Sequence, residues 1–441
     1  MTRPAELPDG CRYLLGTVVD SAGVIRGKQV AAARAHVFAG SGLGASPSWT
    51  VFCADDAVAF TPSIGVVGDM RLRADLAAVA DIGDGLAWAP VHLVSQDGAP
   101  LALDYRGAAH RQVAAFAARG ISVRAAVEIE FVLFDASGNA VAGSGGPAYG
   151  ARPLLELAPF VDEVHTAFDR AGLEIEQFHA EYGPGQMELS LAPADPVRAA
   201  DDNVLARILL SRAARRFGMQ VSFSPQPVLD AVGNCAHVHD SFDRDGVPLL
   251  SGGPGPAGLT DDGGAILAGL VDGLPEAIGA LAPSLLSPLR LQPQHWSGGF
   301  ACWGLENREA AVRLCAATPG NPHGANVEVK PVDASANPYV VQATVLGLAL
   351  DGLERALPLL PAVDVDPATL DEDALFAARA VPIGRDQETG VDRLATSGRM
   401  AAILGSPLLE ALVAVRRHEL DVAKNGDIAT LVRTFRFAWS S

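Results

Sequence analysis

An α+β protein of two unequal units is predicted: a small β-rich domain over residues 1–100 and a large α+β domain over 101–441. Short apolar runs punctuated by turn residues fill the first hundred positions. From about Leu101 the apolar spacing becomes helical and then alternates with short strands. The length agrees, since 441 residues at roughly 150 per domain give two or three domains, or one small and one large. At 49% hydrophobic and 19% charged, the chain has material for a large core, which excludes wholesale disorder.

Residues 13–20 form an apolar run ending in the turn Asp20-Ser21-Ala22-Gly23, and 24–30 follow, which predicts a hairpin. The Gly/Ser/Pro-rich stretch 40–48 reads as an exposed loop, and Gln96-Asp97-Gly98-Ala99-Pro100 as the turn closing the unit. In the second unit a helix is predicted over 106–119, stopped by Gly120, then a strand over 121–135 and a Gly-rich loop over 137–150. Next come a helix over 154–171, strands over 173–181 and 186–191, and a long helix over 195–217. Strands over 219–223 and 237–241, a helix over 261–281, a strand over 326–332 and a helix over 338–353 continue the alternation. Beyond Asp366 the pattern is helical.

The 33 basic and 51 acidic residues give a net charge of −18, and only Lys28, Lys330 and Lys424 are lysines. So acidic a chain, with no basic run, lacks the footprint for nucleic acid or an anionic membrane. Five cysteines without a C-x-x-C pair argue against a disulfide framework or a structural zinc site. The longest uncharged stretch, 35–54, is broken by Gly, Ser, Pro and His, so no membrane span is predicted. No charged-then-apolar leader precedes Cys11, and a cytoplasmic enzyme is the expectation.

Side chains alternate along a strand, so i and i+2 share a face. In Val127-Glu128-Ile129-Glu130-Phe131, two carboxylates therefore project from one side of an apolar strand. Alone they fit a solvated sheet face. Glu181-Tyr182-Gly183-Pro184-Gly185-Gln186-Met187-Glu188 adds two more around a Gly-Pro-Gly turn, and alone is a solvent-facing hairpin. His237-Val238-His239-Asp240-Ser241 puts three polar groups on one face, and Asn326-Val327-Glu328-Val329-Lys330 repeats the device. If the four faces converge, five carboxylates and a histidine destabilise one another unless cations neutralise them. Oxygen-dominated ligands suit Mg²⁺, and a histidine makes Mn²⁺ an acceptable substitute. Two divalent ions for six ligands is the natural count, and such clusters handle phosphate groups. Arg290, Arg308 and Arg313 are either surface counter-charges or, for the last two beside a Trp-Gly turn, a clamp for carboxylate or phosphate. Cys235 and Cys302, with nothing beside them in sequence to depress a pKa, read as structural.

In order along the chain, these segments resemble the glutamine synthetase family. Asp20-Ser21-Ala22-Gly23 with Arg26-Gly27-Lys28, then Gly68-Asp69-Met70-Arg71-Leu72 with Ala74-Asp75-Leu76, resemble its small domain. The E-x-E strand, the E-x-G-P-G-Q-x-E turn, the H-V-H-x-S strand, the W-G-x-x-N-R-x-x-x-x-R segment and Asp333-Ala334-Ser335-Ala336-Asn337-Pro338-Tyr339 follow. The resemblance implies an N-terminal β-grasp-like domain and a catalytic domain with a curved antiparallel sheet and flanking helices. It implies ATP with two to three Mg²⁺ or Mn²⁺ ions per site, and a homo-oligomer, a dodecamer of two hexameric rings with sites between neighbouring subunits. Carried over by position, Glu130, Glu181 and Glu188 resemble the ligands of one metal, and Glu128, His237 and Glu328 those of the second. Arg290, Lys330 and the Gly233 backbone would hold the acid substrate, and Arg308 and Arg313, with Glu328, would serve the transferring phosphoryl group. His239, Ser241 and Glu176 would sit by the nucleotide.

The departures point to the amine. Trp296 stands where ammonia-using members place a flap glutamate, and Gly42-Leu43-Gly44-Ala45-Ser46 has no acid where they bind ammonium. Losing both acids removes the pocket that selects a small cation, and an aromatic residue favours a larger or apolar amine. The resemblance therefore implies an ATP-dependent ligase that couples the γ-carboxylate of glutamate to an amine other than ammonia. Val232, Asn326, Lys330 and Gln226 replace residues usual in the family, which keeps other readings open: a ligase for another carboxylate, glutamine synthetase proper, or a non-catalytic member.

Overall fold

The computed structural model describes residues 6–141 and 147–441. Six strands build the first sheet: β1 (Tyr13–Val19), β2 (Ile25–Ala31), β3 (Leu43–Ala45), β4 (Met70–Ala74), β5 (Ala80–Asp81) and β6 (Leu86–Val94). Their order is β2-β1-β6-β4-β3, with β5 on β6, and only the β1–β6 pair is parallel. The predicted hairpin is β1–β2. Its turn is closed by Asp20, whose Oδ1 accepts the Ala22 and Val24 N–H groups at 2.9 and 3.0 Å. The stretch 40–48 is not a free loop, because β3 lies within it and pairs with β4. Gly42 permits this approach: it has φ +71, and a Cβ there would sit 2.6 Å from the Leu72 carbonyl oxygen. Its polarity hid the strand.

Ten strands build the second sheet: β7 (Ile121–Phe134), β8 (Ile175–Ala180), β9 (Gln186–Leu191), β10 (Gln220–Ser222), β11 (Val238–Arg244), β12 (Val247–Pro248), β13 (Phe300–Leu305), β14 (Ala310–Cys315), β15 (Asn326–Val329) and β16 (Val381–Pro382). The order is β16-β13-β14-β15-β11-β7-β9-β8, with β10 on β7 and β12 on β11. The sheet is mixed rather than wholly antiparallel, because β13 and β14 run parallel. The short return between them is pinned by the Asn307 amide, which donates to the Val363 and Val365 carbonyls at 2.7 and 3.0 Å. The long strand β7 turns the sheet: residues 121–127 pair with β11 and 128–132 with β9. Glu128 and Glu130 lie at that changeover.

Helices cover the back of this sheet. Pro338–Glu354 packs against Asp261–Leu281, Tyr105–Ala117 and Pro196–Arg216. Asn337 caps the first of these and Asp195 the last, each accepting two backbone N–H groups of its first turn. Asp261–Leu281 has the predicted bounds and, although no membrane span is predicted, is long and apolar enough to cross a membrane; 78% of its apolar window is buried inside the protein. It lies so close to its neighbour that a Cβ on Gly269 would meet the Leu348 carbonyl oxygen at 2.3 Å. The helix predicted over 154–171 is two, Arg152–Glu156 and Ala158–Ala171, because Pro159 begins the second. The Gly-rich loop predicted over 137–150 falls partly on 142–146, outside the described residues. Beyond Asp366 the helices are interrupted by the two-residue strand β16, which extends the sheet next to β13.

Candidate active site

Cross-strand register sets a row of charged groups on one face of the second sheet. Glu130 of β7 stands opposite Glu188 of β9, and Glu188 opposite His179 of β8. On the other side of β7, His239 of β11 stands opposite Glu328 of β15, and Glu328 opposite Arg313 of β14. Glu128 joins the halves: its oxygens lie 3.1 Å from His237 Nδ1 and 3.2 Å from His239 Nε2. His237 Nδ1 also lies 3.1 Å from Glu328 Oε1. Glu328 further takes Lys330 Nζ at 2.8 Å and Arg313 Nη1 at 3.1 Å.

These groups surround a cavity of about 730 Å³. Of the residues singled out in the sequence, Glu128, Glu130, Glu181, Glu188, Gly233, His237, Arg290, Trp296, Arg308, Arg313 and Lys330 line it. Glu328 lies directly behind, on Lys330 and Arg313. His239 sits a step back, its Nδ1 2.8 Å from Asn326 Oδ1, which fixes the ring. Ser241 is half-buried further along β11, and Glu176 is exposed, outside the cavity wall. A register shift between Ile175 and Gln177 turns Gln177 to the cavity instead. Gly233 is required by its neighbour, since a Cβ there would lie 2.8 Å from Arg290 Cγ.

Electrostatics divide the cavity in two. At the β8–β9 end, burial, Cys235 and the opposing Glu188 push the Glu130 carboxyl well above its ordinary range. Burial and Glu188 raise Glu181 as well, while a bond to Glu188 at 3.3 Å raises His179. Against the pull of burial, His237 and His239 hold Glu128 well below the carboxylate range, and Lys330 and His237 do the same for Glu328. Like charges directly opposite on a sheet repel, so the acidic end suits a hard divalent cation. At this site three groups bring ligand atoms within 4.8 Å of one another: His179–Glu181–Glu188, Glu128–His239–Glu328 and Glu130–Cys235–His237. Among the described residues the Nε2 of His237 and the Nε and Nη2 of Arg290 are buried without a hydrogen-bond partner, and Arg290 Nε lies 3.9 Å from Asp333 Oδ2. The donor set fits Mg²⁺ or Mn²⁺, and the free Arg290 edge fits an acid.

Several site residues escaped the sequence reading. His179 carried a legible signal, two positions before Glu181 on the same strand. Tyr149, Tyr182, Gln294 and His295 reach the wall from loops and carried none. Cys235 is also a correction. It lines the cavity with Arg290 Nη1 3.0 Å from its sulfur, and although burial pushes its thiol up, Arg290 and His237 bring it to about 7. Cys302 is buried away from the site, its thiol pushed up to about 12 by burial.

Fold and site together define a two-sheet α+β protein whose acidic strands face a cluster of arginines. The chain belongs to the glutamine synthetase family, residues 102–428 matching the glutamine synthetase catalytic domain. It is similar to the γ-glutamylpolyamine synthetase GlnA3 of Streptomyces coelicolor, 39% identical over 431 residues that span 96% of this chain and 92% of that protein. The γ-glutamylputrescine synthetase PuuA of Escherichia coli is 29% identical over 290 residues, 62% of this chain and 60% of that protein. A crystal structure of a novel glutamine synthase homolog superposes with a TM-score of 0.86 at 30% identity, covering all of both chains.

Proposed function

We propose that this protein is an ATP-dependent ligase that couples the γ-carboxylate of glutamate to an amine larger than ammonia, releasing ADP and phosphate. The observation that carries the reading is the convergence of Glu128, Glu130, Glu181, Glu188 and His237, with Glu328 directly behind them, and four basic side chains on one cavity whose rim carries Trp296. Relatives named for γ-glutamylpolyamine and γ-glutamylputrescine synthesis support the amine class.

The six acidic and imidazole groups would hold two to three Mg²⁺ or Mn²⁺ ions, with His179 as a further donor. Bound there, the ions neutralise the triphosphate and the charge developing on the transferred phosphoryl group. Arg308 and Arg313 add positive charge beside that group, and Glu328 holds Arg313 and Lys330 in place through the contacts above. Arg290 and Lys330, with the Gly233 backbone, grip the acid so that its γ-carboxylate points at the phosphoryl donor. His239, Ser241 and Glu176 belong to the nucleotide side. Trp296 meets Tyr182 edge-on, ring centroids 6.5 Å apart, and the pair forms an aromatic rim through which an aliphatic amine enters. With no acid in the flap, a small ammonium ion finds no counter-charge there.

The same reading divides the chain into an N-terminal domain over 1–100 and a catalytic domain over 101–441. It also assembles the chain as a cytoplasmic double hexameric ring. The test is ADP release from ATP and Mg²⁺ or Mn²⁺ with glutamate and a panel of amines from ammonium to long polyamines. Release is expected only when acid, amine and metal are all present, and more with di- and polyamines than with ammonium. No release above the amine-free blank across the panel contradicts the reading.

A further inference from the structure

The flap that carries Trp296 is not held by its own sequence. Gln294 and Trp296 both adopt left-handed backbone angles, φ +64 and +52, which non-glycine residues adopt only when something compensates. Residues 294–296 are exposed, yet the segment is anchored from beneath by a carboxylate. Glu309, only 6% exposed, accepts the Trp296 backbone N–H on Oε1 at 2.9 Å. The left-handed turn aims the Trp296 N–H inward, and its acceptor is a side chain of the protein itself. Glu309 is itself oriented, its backbone N–H donating to Asn307 Oδ1 at 3.0 Å, and Asn307 is tied to the Val363 and Val365 carbonyls. Its other oxygen, Oε2, is buried without a hydrogen-bond partner among the described residues, so the carboxylate has been drawn out of water to make this contact.

We propose that Glu309 is a positioning residue that locks the flap in the shape presenting Trp296 to the amine, and that amine selectivity depends on it although it does not line the cavity. The inference rests on the reading of Trp296 as part of the amine site. It adds that the shape of that site is written in the N-R-E segment, where Arg308 faces the cavity and Glu309 turns to the flap.

The test compares Glu309→Ala and Glu309→Gln with the native protein in two measurements. Hydrogen exchange of the Trp296 amide reads the lock without any turnover. Steady-state kinetics reads KM separately for amine, glutamate and ATP. Losing a buried charged acceptor predicts, for Glu309→Ala, exchange faster by about tenfold or more at this amide, and a comparable rise in amine KM. KM for ATP and glutamate should stay within about twofold of native, because Arg308 and the metal-side groups keep their contacts. Glu309→Gln keeps an oxygen acceptor for the Trp296 N–H and should recover most of both effects, a rescue that a general packing role would not give. Unchanged exchange in Glu309→Ala overturns the lock. Faster exchange with an unchanged amine profile overturns its role in selectivity. Absence of amine turnover in the native protein, with the exchange result as expected, refutes the ligase reading and leaves the lock standing.

Discussion

Glu130 and Glu188 face each other across β7 and β9, and this is where function and stability oppose one another. In the metal-free protein the pair is repulsive, so Glu188→Gln should raise the melting temperature by about one degree, the equivalent of about 1 kcal/mol for a chain of this length. The same change should abolish the stabilisation that Mn²⁺ gives the native protein and remove turnover; thermal melts with and without Mn²⁺ check both. Trp296→Glu should move preference toward small cationic amines, read as the ratio of kcat/KM for ammonium to that for a diamine. Asp240 is a buried residue of another kind, on β11 with neither carboxylate oxygen hydrogen-bonded among the described residues, and burial raises it to about 7 despite His239. Its raised pKa disfavours the charged form in the folded protein. The contribution of Asp240 to stability is therefore most favourable below the ordinary carboxylate pKa near 4 and falls as pH rises toward 7, by roughly a few kcal/mol. Asp240→Asn should stabilise the protein more at pH 8 than at pH 5 in urea unfolding. At this scale the acidic residues were legible because i, i+2 alternation is a local property of one strand. Cys235 and Tyr149 were not, since they reach the cavity only through tertiary approach.

Among the elements, the helix Pro338–Glu354 is joined to the first sheet through its cap. Asn337 accepts the Tyr339 and Val340 N–H groups at 2.9 and 3.3 Å and donates to the Val19 carbonyl at 2.7 Å. Asn337→Ala removes the cap and leaves a buried carbonyl unpaired, a loss of about 2 kcal/mol or more in urea unfolding. Glutamate and ATP KM should change little, since no cavity residue is touched. Helices with strong caps and stops, such as Pro196–Arg216 after Asp195 and Tyr105–Ala117 before Gly120, were legible to within a residue or two. β3 and the parallel pairing of β13 with β14 were not. The first depends on a close approach that only Gly42 permits, and the second on a return loop pinned by residues more than fifty positions away.

At the scale of the molecule, two sheets share one hydrophobic core, and the charged face of the larger one is the feature from which the chemistry follows. The order in which strands meet was invisible in sequence, because register between β11 and β15 joins residues nearly ninety positions apart. The family resemblance supplied what periodicity could not, namely that the four polar faces belong to one site. A double hexameric ring predicts a mass in light scattering twelve times the 45.6 kDa of one chain, and a monomer would contradict it. The most direct measurement is a Mn²⁺ titration by calorimetry in the presence of a non-hydrolysable ATP analogue. At least two ions per chain and mutually dependent metal and nucleotide binding are predicted, with Glu130→Ala and Glu328→Ala each losing ion binding while remaining folded. Nucleotide bound without metal, or Mn²⁺ binding undiminished in both variants, would contradict the account.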